Sequence, residues 1–380
     1  MKILIFPNDP LIAYLKKGEL KERYFNPNNI FEEIHFITFA DEECNISDIQ
    51  ITIGNAKGFI HKLNKFKMID MFFPYRRLKE IFNIVDNIKI DIIRGYSSTY
   101  SGYFTIKCAK HLNKKSIISL HTNFDDMRYQ YKKRKDYLRF FKYIFTKKFI
   151  EKKVLKTVNS IIAKYAYTKK YALDNGANNN KIELIYNKIP LNKFYPLDKK
   201  TDKKTIKVIC VGNLEIGKGQ RVLIDSIPLL NKNIYFTFVG DGEDYNLLVQ
   251  KVKSFKIEDQ VTFIKSIPNE QLAGLYREHD IFSLPIQYGG ICIPALEATA
   301  SGLALVMPKP IHEDSPEITG EYAMIVENTP EGFANGIQKI ANNNKLKESI
   351  IIKGLKVIQN YSGDIMEQKE TNLYKRVING

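Results

Sequence analysis

The sequence predicts an α/β fold of two domains, each a parallel sheet covered on both faces by helices. Three observations carry that prediction. Apolar runs of strand length alternate with longer helical stretches throughout the chain, and such alternation marks parallel sheets. At 380 residues the chain can fill two cores of ordinary size. A polar segment rich in Lys, Pro and Asp, Asn192 to Lys207, divides the pattern into two halves. The expected domains are 1–195 and 196–361, followed by a closing helix from about 362 to 380.

The first half opens on a buried strand, Met1–Phe6, stopped by the turn cluster Pro7-Asn-Asp-Pro10. Strands are expected at Glu33–Phe39 and Ile49–Ile53, and a helix followed by a strand at Ile81–Arg94. The polar loop Gly95–Gly102 then opens another helix. The strand Lys115–Leu120 ends at His121, and chemistry in open α/β sheets gathers at the carboxyl ends of strands. Arg94, at the end of the preceding strand, is a second candidate for the same place. Asp125-Asp126 reads as a helix N-cap rather than a metal site, because adjacent carboxylates point apart. A strand at Val158–Ala163 and a passage through Ile182–Asn187 lead to the linker.

The second half begins with the strand Ile206–Val211 and the loop Gly212-Asn-Leu-Glu-Ile-Gly-Lys-Gly219. Its spacing approaches a P-loop, but Gly219 stands where that motif needs Ser or Thr for magnesium. Ile234–Val239 is a strand before the tight turn Gly240–Glu243, and Leu305–Pro310 is a later one. Between them lies Ser283 to Gly302: a strand end, Pro285, the pair Gly289-Gly290, then a helix with Pro294 in its first turn and Gly302 at its end. A strand, a glycine loop and a buried helix N-terminus can hold a phosphate on backbone N–H groups and the positive end of the helix dipole. Glu297, one turn into that helix, is placed to accept hydrogen bonds from hydroxyls of whatever carries the phosphate.

Composition narrows the classes. With 44% apolar and 12% aromatic residues the chain is globular. No apolar run approaches the ~18 residues of a membrane span, and no secretory signal precedes the first strand. Cys44, Cys108, Cys210 and Cys292 lie far apart with no metal-ligand spacing, so reduced thiols in the cytoplasm are expected. A net charge of +16 predicts an anionic partner. Arg128 to Lys156 holds twelve basic residues against two acidic ones, interleaved with eight Tyr and Phe. Two readings of it stand side by side: a basic aromatic helix for an anionic membrane surface, or a surface helix whose aromatics face the core. Nucleic acid is a weaker third, since no helix-turn-helix, zinc finger or RNA-binding aromatic motif accompanies the charge.

The stretch Ser283–Gly302 resembles the signature of family-4 retaining glycosyltransferases with the GT-B fold, with Gly290, Glu297, Ala298, Ala300 and Gly302 matching. Gly289 takes the place of the first glutamate of the family's pair. Gly212–Gly219 resembles the family's Gly-Arg-Leu-x-x-x-Lys-Gly, with Asn213 in place of the arginine and Lys218 retained. The glycine loop that the family carries after its first strand is reduced to Gly18.

The resemblance implies two Rossmann-like domains facing across a cleft that closes on the sugar, with the last helix returning to the first domain. It also implies a hexosyltransferase-type enzyme that takes sugar from a UDP- or GDP-sugar to a glycan or lipid-linked acceptor with no metal or other cofactor. Polysaccharide biosynthesis at the membrane would be its setting. His121, Lys218 and Glu297 would be catalytic. The donor would lie on Gly212, Asn213, Lys218, Ser266, Ile267, Gly289, Gly290, Ile293 and Glu297, with backbone groups around Ser266 and Ile267 receiving the base. Tyr288, or a different sugar, would compensate for the missing glutamate. Loss of that glutamate and of the arginine leaves a second reading open, a non-catalytic nucleotide-sugar-binding or membrane-scaffold protein on the same fold.

Overall fold

The computed structural model describes residues 1–16, 20–39, 43–197, 205–265, 267–287, 292–309 and 317–380. They form two compact units, one of Met1–Tyr186 with Met366–Gly380 and one of Asn187–Ile365. The division precedes the expected 195/196 because the next residues pack in the second unit. The Phe194 ring lies 6.0 Å from that of Tyr276.

The first unit holds seven parallel strands: β1 Lys2–Phe6, β2 Glu33–Thr38, β3 Lys57–Lys62, β4 Ile92–Gly95, β5 Lys115–Leu120, β6 Ser160–Ala163 and β7 Ile182–Leu184. Their order is β3-β2-β1-β4-β5-β6-β7, with Ile3 beside Ile34 on one side and Ile92 on the other. Successive β1 side chains feed opposite faces. Ile3 and Ile5 join a cluster with Phe25, Phe36 and Tyr374, while Leu4 and Phe6 join one with Phe104 and Val154. Two buried faces explain why β1 reads as a continuous apolar run; each such side chain contributes roughly 1.5–3 kcal/mol. The last helix, Gly363–Asn379, lays Met366, Leu373 and Tyr374 into the first of these clusters.

The second unit holds six parallel strands: β8 Ile206–Val211, β9 Ile234–Val239, β10 Val261–Ile264, β11 Ile281–Ser283, β12 Ala304–Pro308 and β13 Met324–Val326. Their order is β10-β9-β8-β11-β12-β13. Each sheet therefore reverses direction beside its first strand, at β1/β4 and at β8/β11. Ligands of open α/β sheets bind at such switch points, outside the carboxyl ends of the strands.

Three expectations need correction. Ile49–Ile53 is not a strand but the end of a helix, Ile46–Ile53. Asp48 accepts from the Asn45 amide at 2.8 Å at its start, and Ile49, Thr52 and Ile53 are buried at helical spacing while Ile51 is exposed. The true third strand, Lys57–Lys62, reads poorly because only Phe59 and Ile60 in it are strongly apolar. The cap of the helix Phe124–Lys133 is Asn123, whose side chain accepts from the amides of Asp125 and Asp126 at 2.9 and 3.3 Å. The basic stretch is not one helix either. Helices Phe124–Lys133 and Tyr137–Thr146 are separated by a turn with Lys135 at φ 58°, and a π-helical segment Lys147–Glu151 follows. That segment turns Glu151 fully inward, where Arg128 pairs with it at 2.9 Å. Arg128 is thus a structural cation, closed off from any partner.

Candidate active site

In the second unit two loops meet at the β8/β11 switch point. The loop after β8 makes a tight turn, Ile216–Lys218, before the helix Gln220–Ser226. Gly219 joins them at φ 74°, and a Cβ there would lie 2.0 Å from the Pro285 carbonyl oxygen. Only glycine permits both the left-handed turn and that approach. The Gln287 amide donates to the Gly217 carbonyl at 3.1 Å, tying the post-β11 loop to the same turn. Gly240, at φ 145°, brings the turn after β9 within 2.1 Å, from its ideal Cβ, of the Gly212 carbonyl oxygen. The Gln220 side chain donates to the Asn213 carbonyl at 2.9 Å, while Asn213 itself stays exposed.

Lys218 is half-buried in this turn. Burial pushes the thiols of Cys210 and Cys292 up, and the Lys218 ammonium opposes it at both. Lys218 therefore lies near Cys292, the N-cap of the helix Ile293–Ala300. At that helix start Pro294 has no amide to offer, and the Ala295 amide donates to the Cys292 carbonyl at 3.1 Å. Glu297 is buried, with the Tyr276 hydroxyl donating to it at 3.4 Å. Burial, with the Glu297 carboxylate alongside, raises Tyr276 well above the usual phenol range, so it remains a donor. Ile267 is half-buried in the stretch between β10 and the helix Asn269–Arg277. Ser266, Tyr288, Gly289 and Gly290, like Gly18, lie outside the described residues.

In the first unit His121 follows β5, stacked on Tyr96 with ring centroids 5.9 Å apart. Its Nε2 and the Tyr96 hydroxyl are enclosed and have no hydrogen-bond partner among the described residues. Burial, and then the positive charges of Lys164 and Arg94, push His121 down to about 3. It is a neutral imidazole at any physiological pH. Arg94 is not a free site residue. It is buried, it pairs with Glu370, it donates to the Tyr374 hydroxyl at 2.6 Å and Ser119 Oγ at 2.8 Å, and it lies over the Tyr96 ring at 4.4 Å. Lys164 reaches Glu370 from the other side at 3.3 Å. Behind His121, then, sits an ion cluster that also fastens the last helix.

A cavity of about 360 Å³ opens at the β1/β4 switch point, and sequence reasoning missed it. Phe6, Phe39, Phe66, Tyr100 and Phe104 supply apolar walls, and Asn8, Asp9, Thr38, Ser97, Thr99 and Lys142 supply polar groups. Thr38 is buried, with Oγ1 unpartnered among the described residues. Aromatic walls with a few convergent polar groups suit a small-molecule ligand. The signal was present in Pro7–Pro10 and Gly95–Gly102, which read only as a turn cluster and as a polar loop opening a helix. Among the described residues no three His, Cys, Asp or Glu side chains come together as metal ligands.

Comparison with known proteins adds the family. The glycosyltransferase family 4 model matches residues 33–193, and the model for glycosyl transferases group 1 matches 194–357. An uncharacterized glycosyltransferase of Methanocaldococcus jannaschii is 24% identical across 100% of this chain and 99% of its own length. A GDP-mannose-dependent alpha-(1-6)-phosphatidylinositol monomannoside mannosyltransferase of Mycolicibacterium smegmatis is 26% identical over 32% of this chain and 35% of its own. Among solved structures, Anabaena HepE in complex with UDP superposes with a TM-score of 0.75 at 14% identity, covering 99% of this chain and all of that one. The two matched models adjoin at 193/194 and between them span most of both units, and the chain belongs to the family-4 glycosyltransferases, with the GT-B fold.

Proposed function

We propose that the protein is a retaining enzyme that moves a hexose from a UDP- or GDP-sugar to a glycan or lipid-linked acceptor, using no bound metal. One observation carries the donor reading: at the β8/β11 switch point the turn that bears Lys218 packs on the loop after β11 that precedes the helix Ile293–Ala300, with the Gln287 amide donating to the Gly217 carbonyl at 3.1 Å. Breaking the sugar–phosphate bond leaves negative charge on the departing diphosphate. A fixed ammonium and a helix N-terminus stabilise that charge without reorganising. Glu297, held by Tyr276, accepts from the ribose hydroxyls, and neutral His121 offers a hydrogen bond to the sugar rather than a charge. The signature ending Glu297–Gly302 supports retention, and the UDP bound in the HepE structure supports a nucleotide donor.

The acceptor reading rests on the cavity at the β1/β4 switch point and on its mixed apolar and polar lining. The phosphatidylinositol-modifying relative favours a lipid-linked acceptor in polysaccharide or glycolipid assembly. No described helix is long and apolar enough to cross a membrane, so the protein would meet that acceptor peripherally, through the exposed cations of the stretch 128–156. A screen of radiolabelled nucleotide sugars for hydrolysis and transfer tests the reading. Wild type should turn over one donor, and Lys218→Ala and Glu297→Ala should abolish it. Full turnover by either variant would exclude the proposed donor site.

A further inference from the structure

We propose that the first unit carries an insertion face for anionic membranes, built from the segment 62–79 and the outer side of the helix Tyr137–Thr146, and that apolar side chains hold it there together with charge. This rests on the peripheral reading above and goes past it, because the basic stretch 128–156 does not include the segment 62–79.

Met68, Ile69, Phe72, Phe73 and Tyr75 stand 46–64% exposed along a short helix, Met68–Phe72, and the turn that follows it. Five large apolar side chains facing solvent in eight residues mark an interaction site. The Phe72 ring lies 5.1 Å from Phe145, and Phe145 lies 4.8 Å from Phe149, so the two elements share one face. Leu138 and Phe141, also exposed, extend it. The face is collared by cations. Lys62, Lys65, Lys67, Arg76 and Lys79 are exposed, and Asp70, the single acid between them, is buried, accepting from the Lys67 amide at 2.9 Å. Lys148 stands over the Phe149 ring at 5.3 Å.

An apolar tip inside a collar of lysines matches a bilayer with acidic head groups. The tip enters the acyl boundary, and the ammonium groups stay at the phosphates. A second copy of this chain fits less well, since two such faces would bring like-charged collars together. The Tyr100 hydroxyl, on the cavity wall, donates to the Met71 carbonyl at 3.0 Å, so the cavity adjoins the face and an acceptor could enter it from the bilayer.

Flotation of the full chain with phosphatidylcholine vesicles, with and without phosphatidylglycerol, tests the proposal. Wild type should float with the anionic vesicles. Met68→Ser/Phe72→Ser/Phe73→Ser should lower its partition by more than about tenfold while donor hydrolysis in solution is unchanged. The chain has no tryptophan, so Phe73→Trp reports insertion directly, by a blue shift and by quenching from brominated acyl chains. Equal flotation of wild type and the triple variant, or an unmoved Trp spectrum, would overturn the proposal. So would a triple variant that turns a dimer into a monomer by light scattering, since the face would then join copies of the chain. Intact flotation with no donor turnover would count against the catalytic reading alone and support this one.

Discussion

Replacing Glu370 with Gln removes the carboxylate that two buried cations, Arg94 and Lys164, share. Burial, the largest single effect, lowers the pKa of Arg94, but Glu370 together with the Tyr374 and Tyr96 hydroxyls outweighs it and raises Arg94 well above its ordinary value, so the guanidinium stays charged. The variant keeps the shape and loses the compensation. Breaking a buried pair in this way costs about 3–5 kcal/mol, a large share of the roughly 5–15 kcal/mol that holds a domain together. Because Glu370 sits on the helix Gly363–Asn379, the loss falls on the first unit. Calorimetry should show that unit's transition lowered by about 10 °C, at roughly 2–4 °C per kcal/mol, with the second unit's transition in place. Removing the whole cluster with Arg94→Leu/Lys164→Met/Glu370→Leu should recover part of the loss, since no buried charge is then stranded. A Glu370→Gln variant that loses less than about 1 kcal/mol would show that water reaches the cluster, and the reasoning from burial would fail.

Three further outcomes follow from the geometry. Gly219→Ala forces a left-handed Cβ against the Pro285 carbonyl and should destabilise the second unit by about 1–3 kcal/mol in urea titrations; a neutral result would mean that the turn can relax. His121 has a folded pKa near 3, below that of the unfolded chain, so the unfolded state binds the extra proton. Stability from this group is complete above pH ~6.5 and lost as pH falls toward 3. Melting curves of wild type should decline through that window more steeply than those of His121→Gln, and parallel curves would contradict the assignment. Tyr276→Phe removes the donor to Glu297 and should raise the donor KM several-fold with kcat little changed; an unchanged KM would detach Glu297 from donor binding.

The α/β class and the strands that flank both switch points were legible because doubly buried strands are apolar without interruption, as in Ile3-Leu-Ile-Phe6 and Val208-Ile-Cys-Val211. The segment Ile46–Ile53 misled because its run of isoleucines and threonine suits either a buried strand or a helix, and a cap at Asn45 decides it. Lys218 and Glu297 could be located in sequence because each follows a strand end by a short, glycine-marked loop. The partners that define them could not. Tyr276, Cys210 and Cys292 meet them only through the parallel pairing of β8 with β11. Arg94 looked like a site residue by position. Its role was hidden because Glu370 and Tyr374 lie more than 270 residues away in sequence. The cavity at β1/β4 escaped notice because its walls come from five separate stretches of the chain, 6–10, 37–39, 66, 97–104 and 142–143.

On the proposed reading, Lys218 and the adjoining helix start hold the donor's diphosphate. Calorimetric titration of UDP, GDP and ADP into wild type and Lys218→Ala tests it most directly. One of the three should bind wild type, and Lys218→Ala should weaken it by about 1.5–3 kcal/mol, roughly tenfold to a hundredfold. Equal affinity for wild type and the variant, or no binding of any of the three to wild type, would contradict the account.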